Sequence, residues 1–412
     1  MDRIDRQIVH CLQRDGRASF RRIAAVVGVS EQTVARRYRA LEAEGALRVL
    51  VLPDARATGK RTWFARLRCR PNAADALAEV IAAREDVSWV SVTAGGSEII
   101  CVLRSDPTAA QGSVLLHRLP RTNQVLSFAA YQVLRVHVGG EAEWLSFADP
   151  LCEEQVTRLL AEARPGAGSP LSAPSGPVRD EDAPLLTALA RDGRAGVVEL
   201  ARSTGWPASR VSARVDELLA TGAAQVEVDI ALERFGFHAM AYLWLTVAPG
   251  ELEGTGHALS RYPETSFAAA VTGTANLMTA VNCRDADELY AYVTTKVGAL
   301  PAVRAAEVVP VLRRVKQAGT RIRNGHLEST PTDHPSAVET NPDAGPDRGR
   351  GGPDASLRCR RPRRRYAPDI GDTHPPVDPR VPPLVRRDDR RAWSGGASSA
   401  PGGGCWRRAR PR

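Results

Sequence analysis

The chain has 412 residues and 43% hydrophobic content, enough for two to four compact domains rather than one, with only 5% aromatic residues, so its cores must be built mainly from Ala, Val and Leu. The formal charge of +9 is not in itself a nucleic-acid signature, because 17 Arg against 11 acidic residues lie between Gly325 and Arg412 and only +3 is left for residues 1–324. Any claim about DNA has to rest on the pattern of individual helices.

Ile4, Ile8 and Leu12 recur at helical spacing and predict a first helix packed under a helix-turn-helix. Ser19 caps a short helix to Val26, Gly28 turns the backbone, and Ser30 caps a second helix that runs to about Ala43 and ends at Gly45. Leu47 to Leu52 then reads as a short strand. This is a winged helix-turn-helix, the unit that sets a recognition helix in the major groove. On its second helix Val34, Tyr38 and Leu41 form the buried stripe, and Gln32, Thr33, Arg36 and Arg39 face the other way. Arg bonds guanine bidentately and Gln bonds adenine, so these four are expected to contact DNA. Arg37 lies nearer the stripe and is expected to be structural or to contact phosphate.

Strands follow at Thr62–Arg70, Val87–Thr93, Glu98–Leu103 and Val125–Val138, with helices at Ala73–Arg84 and Pro107–Leu119 and a turn at Ala94–Ser97. That βαββαβ order, with a hairpin between the middle strands, predicts a ferredoxin-like domain. Ala163 to Pro184 is rich in Pro, Gly and Ser and reads as a linker. The programme then restarts. Arg191–Ala195 repeats the RDGRA of Arg14–Ala18, and Ala201, Gly205, Val211, Arg214, Leu218 and Gly222 fall where Ala24, Gly28, Val34, Arg37, Leu41 and Gly45 stand, which points to internal duplication. A second βαββαβ is read from strands Phe237–Val247, Thr265–Thr272, Asn276–Asn282 and Ala305–Val315 and helices Glu251–Ser260 and Asp285–Val297.

The second recognition helix keeps the stripe as Val211, Val215 and Leu218. Its outward face carries Ser209, Arg210, Ala213, Asp216 and Glu217, and Pro207 replaces the capping Ser30. Two acids and a lost central Arg predict that this copy contributes little to DNA binding. After about Asn324 the chain is rich in Arg, Pro and Gly without apolar period, which predicts a dispensable disordered tail, a basic arm, or an out-of-frame reading of GC-rich DNA.

The seven cysteines form no CxxC pair and no Cys/His cluster at zinc spacing, so buried thiols in a reducing cytoplasm are expected, with no metal and no cofactor. The first residues are charged and amphipathic rather than a signal peptide, and the longest apolar run, Phe237–Val247, is too short to cross a bilayer.

IDRQIVHCLQRDGRASFRRIAAVVGVSEQTVARRYRALEAEGAL and VTGTANLMTAVNCRDADELYAYVTTKVGALPAVRAAEVVPVLRRVK carry a resemblance to the leucine-responsive/asparagine regulator (Lrp/AsnC) family, over roughly residues 1–318 in two fused units. The resemblance implies an α+β chain: a winged helix-turn-helix (1–60), a ferredoxin-like domain (61–150), a linker (151–180), a degenerate helix-turn-helix (181–232), a second ferredoxin-like effector domain (233–320) and a disordered tail (321–412). It implies a sequence-specific transcriptional regulator whose partners are double-stranded DNA and a small effector such as an amino acid. A homo-oligomer or an intramolecular pseudo-dimer fits equally well.

In the family the effector sits at an interface between two such domains, so the hairpins of the two copies are expected to form one site. Ser97 and Glu98 would come from one, and Thr272, Gly273, Thr274 and Asn276 from the other. Glu98 and Asn276 replace the Asp usual there, and these residues also fit a plain β-turn. Sirohaem decarboxylases resemble the same architecture, and an enzyme of that kind would need histidines in its cleft, with His117, His137, His238 and His257 as candidates. A sensing or dimerisation module without DNA binding is the third alternative.

Overall fold

A computed structural model of the chain describes residues 1–106, 123–139, 150–163 and 176–328, all within one compact unit, Met1–Pro335. Helices α1 (Arg3–Arg14), α2 (Phe20–Val27) and α3 (Glu31–Ala43) form where the caps predict. Asp2 and Asp5 make a capping box, and Ser19 and Ser30 accept from the Arg22 and Thr33 amides. Ile8, Leu12, Ile23, Val34, Tyr38 and Leu41 share one core under the turn. Strand β1 (Leu47–Pro53) is the wing.

The first ferredoxin-like unit comprises β2 (Arg61–Cys69), α4 (Ala74–Ala82), β3 (Val87–Thr93), β4 (Glu98–Ser105) and β5 (Val125–Val138). Its second expected helix, Pro107–Leu119, lies outside the described residues. A helix that periodicity did not reveal, α5 (Glu153–Leu160), returns to the first helix-turn-helix, where Leu159 enters the core and Gln155 donates to the Val26 carbonyl.

The expected linker is too long at its far end. Asp180–Asp182 is a 3₁₀ turn that runs into α6 (Ala183–Arg191), with Pro184 in the first helical turn, where its missing N–H has no helical partner to lose. Helices α7 (Val197–Thr204) and α8 (Ala208–Ala220) and wing β6 (Ala224–Ile230) complete a second helix-turn-helix. Next come β7 (Ala239–Val247), α9 (Leu252–Ser260), β8 (Thr265–Val271), β9 (Leu277–Cys283), α10 (Ala286–Ala291) continued by a π-helical turn to Val297, and β10 (Val303–Gln317).

The boundary expected at residue 321 is corrected by the small strands β11 (Thr320–Arg323) and β12 (His326–Leu327). Leu327 is buried, its amide bonds the Gly45 carbonyl, and the Glu328 carbonyl accepts from Arg48. Cutting the chain at Asn324 would therefore remove part of the fold. The rest of the expected tail lies outside the described residues.

The bounds of β1, α2 and α3 recur 177 residues later in β6, α7 and α8, and those of β2, α4 and β3 recur 178 residues later in β7, α9 and β8. Register obeys the same spacing: Val133 opposes Val271 and Arg135 opposes Ala270, as Val311 opposes Thr93 and Arg313 opposes Val92.

The long strands join the units. β5 pairs with β2 over its first half and crosses to β8 over its second, while β10 pairs with β7 and then β3. The order β10-β3-β4-β2-β5-β8-β9-β7, with β7 also paired to β10, closes an eight-stranded ring without free edges between the units. Phe64, Ile100, Tyr242, Trp244, Val271, Met278 and Val309 fill its interior, and α4 and α9 each cover the outer face of their own sheet.

Candidate functional site

Helix α3 presents Gln32, Arg36 and Arg39 to solvent, and none of the three has a hydrogen bond or ion pair among the described residues. Thr33 is half-buried, and its hydroxyl meets that of Ser30 at 2.8 Å. Arg37 does not join this face. Its guanidinium turns back to Asp2 at 2.6 Å and Asp5 at 2.9 Å, and those bonds, that to Asp5 foremost, raise its pKa. Of the two expectations for Arg37, a structural role or a phosphate contact, these bonds fit the first: it ties α3 to the cap of α1.

Helix α8 has the same backbone and a different face. Arg210 lies 2.5 Å from Glu181 and stacks on Trp206 with its guanidinium carbon 3.9 Å from the ring centre. Arg214 is buried against Asp182 at 2.5 Å and also reaches Glu217 at 2.7 Å. Burial pushes the Asp182 carboxyl up, but hydrogen bonds from Arg214 and the Arg179 amide outweigh it and leave the pKa below the usual range. Arg214 is thus committed within the fold, and Arg210 is paired with an acid at the surface.

The two wings pair antiparallel along their whole length, Leu47 opposite Ile230 and Pro53 opposite Ala224. The two RDGRA copies clasp each other beside that ribbon. Arg17 donates to the Gly193 and Ala195 carbonyls, and Arg194 donates to those of Gly16 at 2.5 Å and Ala18 at 2.8 Å. This is the reciprocal pattern of an interface between like surfaces. A Cβ on Gly193 would lie 2.6 Å from the Leu50 backbone, so only glycine admits the close approach. Arg194 also covers the rings of Phe20 and Tyr38 at 4.7 and 5.2 Å.

Between this ribbon and the barrel lies a chamber of 510 Å³ with Arg56, Arg61, Arg104 and Arg314 in its walls beside Trp89 and Tyr242. Burial lowers the Arg104 pKa, and Arg104 bonds the Pro53 carbonyl at 3.3 Å. No histidine lines this chamber among its described walls.

The sequence led us to expect the two hairpins in one site; instead each meets the long strand of the other unit. Ser97 and Glu98 line a crevice of 320 Å³ against Glu307–Pro310 of β10. Glu98 is buried and bonds Arg66 at 2.9 Å, and Arg66 also reaches Glu307 at 2.8 Å and lies over Trp244. Those carboxylates, Glu307 first, raise the Arg66 pKa, and Arg66 in turn lowers that of Glu307.

The second hairpin is closed by its own bonds. Asn276 accepts from the Val247 amide and donates to its carbonyl, both at 2.9 Å, and the Thr272 hydroxyl accepts from Gln132. Gly273, at φ +110°, has the Tyr131 ring where a Cβ would stand 2.9 Å away, and the Thr274 carbonyl accepts from Thr246. Tyr131 in turn packs on Trp244 with 4.7 Å between centroids, so Arg66, Trp244 and Tyr131 connect one hairpin to the other. Arg66 and Glu307, which sequence reading missed, sit on strands whose alternation gave no sign of a polar pair between the units.

The family pattern described as the AsnC-type helix-turn-helix domain matches residues 1–42, and the Lrp/AsnC ligand binding domain matches residues 240–320. An uncharacterized HTH-type transcriptional regulator of Pyrococcus abyssi is 27% identical over 139 residues, 34% of this chain and 87% of that protein. The HTH-type transcriptional regulator FL11 of Pyrococcus horikoshii is 23% identical over 142 residues, 34% of this chain and 93% of its own length. Among solved structures, the siroheme decarboxylase NirDL is similar in fold, with a TM-score of 0.52 at 13% identity over 79% of this chain and 94% of that one.

Proposed function

We propose that this chain, which carries the AsnC-type helix-turn-helix and the Lrp/AsnC ligand binding pattern, is a transcriptional regulator of the Lrp/AsnC type that arose by fusion of two units and reads an operator chiefly through its first recognition helix. The observation that carries the reading is the contrast between α3, with Gln32, Arg36 and Arg39 exposed and uncommitted, and α8, where Arg210 and Arg214 are bound to acids. Thr33 helps to set the first turn of α3 near the bases. A gel shift with the chain's own upstream region at two salt concentrations tests this: specific retardation that weakens with salt is expected, and none at low salt would refute it.

The effector site proposed is the crevice at Ser97 and Glu98, completed by Arg66 and Glu307. Carboxylates and a guanidinium side by side suit a zwitterion such as an amino acid, whose carboxylate would exchange with Glu307 on Arg66 and whose ammonium would take Glu307. Thr272, Gly273, Thr274 and Asn276 then serve the turn that holds the second unit closed. A thermal-shift screen of amino acids should find one that stabilises the chain but not its Glu307→Gln variant. A shift that survives Glu307→Gln and is lost in Asn276→Ala would move the site to the second hairpin.

An enzyme of the decarboxylase type is the second reading, favoured by the likeness to NirDL along both halves and by the arginine-walled chamber. His137 and His257 meet one another instead of lining that chamber. Loss of carbon dioxide from added sirohaem would establish this reading, and an unchanged tetrapyrrole would dismiss it.

A further inference from the structure

We propose a binding site for one divalent transition-metal ion, of the zinc or cobalt class, made by His137 of the first unit with Glu253 and His257 of the second. Their ligand atoms all lie within 4.8 Å of one another. Glu253 and His257 are four apart on α9 and therefore on one face, and His137 approaches from β5, the strand that crosses between the units. The His257 Nε2 to Glu253 Oε1 distance is 3.3 Å, and a tetrahedron with bonds of about 2.0–2.1 Å has edges near that length. Two imidazoles and a carboxylate leave a position for water and suit a borderline ion rather than calcium or magnesium.

Two further observations set this cluster apart from an ordinary patch of polar residues. Both ring nitrogens of His137 are buried without a hydrogen-bond partner among the described residues, which a folded protein seldom tolerates. The matching place in the other half, 178 residues away, is also built differently. There Arg313 bonds Asp75 at 2.8 Å and Glu79 at 3.2 Å, as Arg135 bonds Glu253 at 3.0 Å, but Glu79 stands for His257, Ala78 for Gly256 and Val315 for His137.

These three differences act together. A Cβ on Gly256 would lie 2.3 Å from the His137 ring, so the glycine makes room for the imidazole within a helix, where glycine is otherwise unfavourable. One half is thus braced by salt bridges alone, and the other holds three donors aimed at a common point. The ligands are about 120 residues apart in the chain, which is why cysteine and histidine spacing gave no sign of them.

The test titrates cobalt(II) into the full chain and follows its visible absorption, with zinc(II) by calorimetry. One ion per chain is expected, with a d–d spectrum of nitrogen and oxygen ligation. His257→Ala, at an exposed position, should weaken binding at least 100-fold, and Glu253→Gln at least 10-fold. Arg135→Gln removes the cation that shares Glu253 and should tighten binding. Circular dichroism confirms that the variants fold. A thiolate charge-transfer band, affinity unchanged in His257→Ala, or no ion bound at tens of micromolar would overturn the proposal.

Discussion

The two helix-turn-helix units differ most clearly where they are identical in sequence. Arg37 and Arg214 occupy matching positions, and so do their partners Asp5 and Asp182. In the first unit the pair lies at the surface, with Arg37 23% and Asp5 16% exposed; in the second, Arg214 is 6% and Asp182 0% exposed. The same ion pair therefore pins the recognition helix in both, but only in the second has it become part of the interior. Gly28, Val34, Arg37, Leu41 and Gly45 recur at the matching positions, whereas on the outward face Gln32, Arg36 and Arg39 give way to Ser209, Ala213 and Asp216, and Thr33 to Arg210. A shared fold here implies no shared contact with DNA.

Removing the arginine from each unit is the severest test of that difference. Arg214→Ala leaves the Asp182 carboxylate buried and unpaired and should destabilise the chain by about 3–5 kcal/mol, whereas Arg37→Ala should cost no more than about 1 kcal/mol. Urea unfolding followed by circular dichroism measures both. Equal losses would show that burial of the second pair is not what separates the units.

Acid should distinguish them next. His10 on α1 is buried, and its Nδ1 accepts from the Leu151 amide at 2.9 Å, while the matching Thr187 is exposed. Burial first, then the nearby Arg14, depresses the His10 pKa from 6.5 to about 4. The folded state thus favours neutral His10: its contribution is fully present above pH 6.5 and is lost as pH falls towards 4, amounting to about 3 kcal/mol. His10→Gln, which keeps an acceptor, should flatten that part of the stability profile. A profile unchanged by the substitution would assign the acid sensitivity elsewhere.

The periodic and capped parts of the chain were legible in the sequence: α2, α3 and the succession of strands in both ferredoxin-like units. What escaped was contact between distant segments. RDGRA marked the repeat but not its reason, because nothing local tells that Arg17 and Arg194 each bond the carbonyls of the other copy. Glu98, expected to be an effector contact or part of a plain turn, is buried on Arg66, a partner 32 residues away across the sheet. Pro184 looked like a loop residue because proline starts helices as readily as it interrupts them. Asn276, read as an effector contact or a turn residue, bonds the backbone of β7 through both amide atoms.

The clasp gives a third, smaller test. Arg194 covers two rings in addition to its bonds to the Gly16 and Ala18 carbonyls, so Arg194→Ala should cost about 2–3 kcal/mol and Arg17→Ala about 1–2 kcal/mol. Both variants should also lower operator affinity, since the ribbon alone then sets the spacing of the two recognition helices. A stability loss with unchanged affinity would mean that the second unit does not help to place the first on DNA.

The smallest effects are those on DNA itself, and they decide whether the units differ in function as well as in packing. Arg36→Ala or Gln32→Ala should cost about 1–3 kcal/mol of binding and relax base preference at one position, because a side chain bidentate to a base discriminates by that amount. Arg39→Ala should weaken all sequences alike and lower the salt slope by about one, as loss of a phosphate contact does. Arg210→Ala in the second unit should change neither quantity by more than about 0.5 kcal/mol, since that guanidinium is already neutralised by Glu181 and laid over Trp206. Affinity and salt slope measured on the same operator for all four variants separate the cases. Equal losses from Arg36→Ala and Arg210→Ala would mean that the Glu181 pair opens on DNA and that both helices read it.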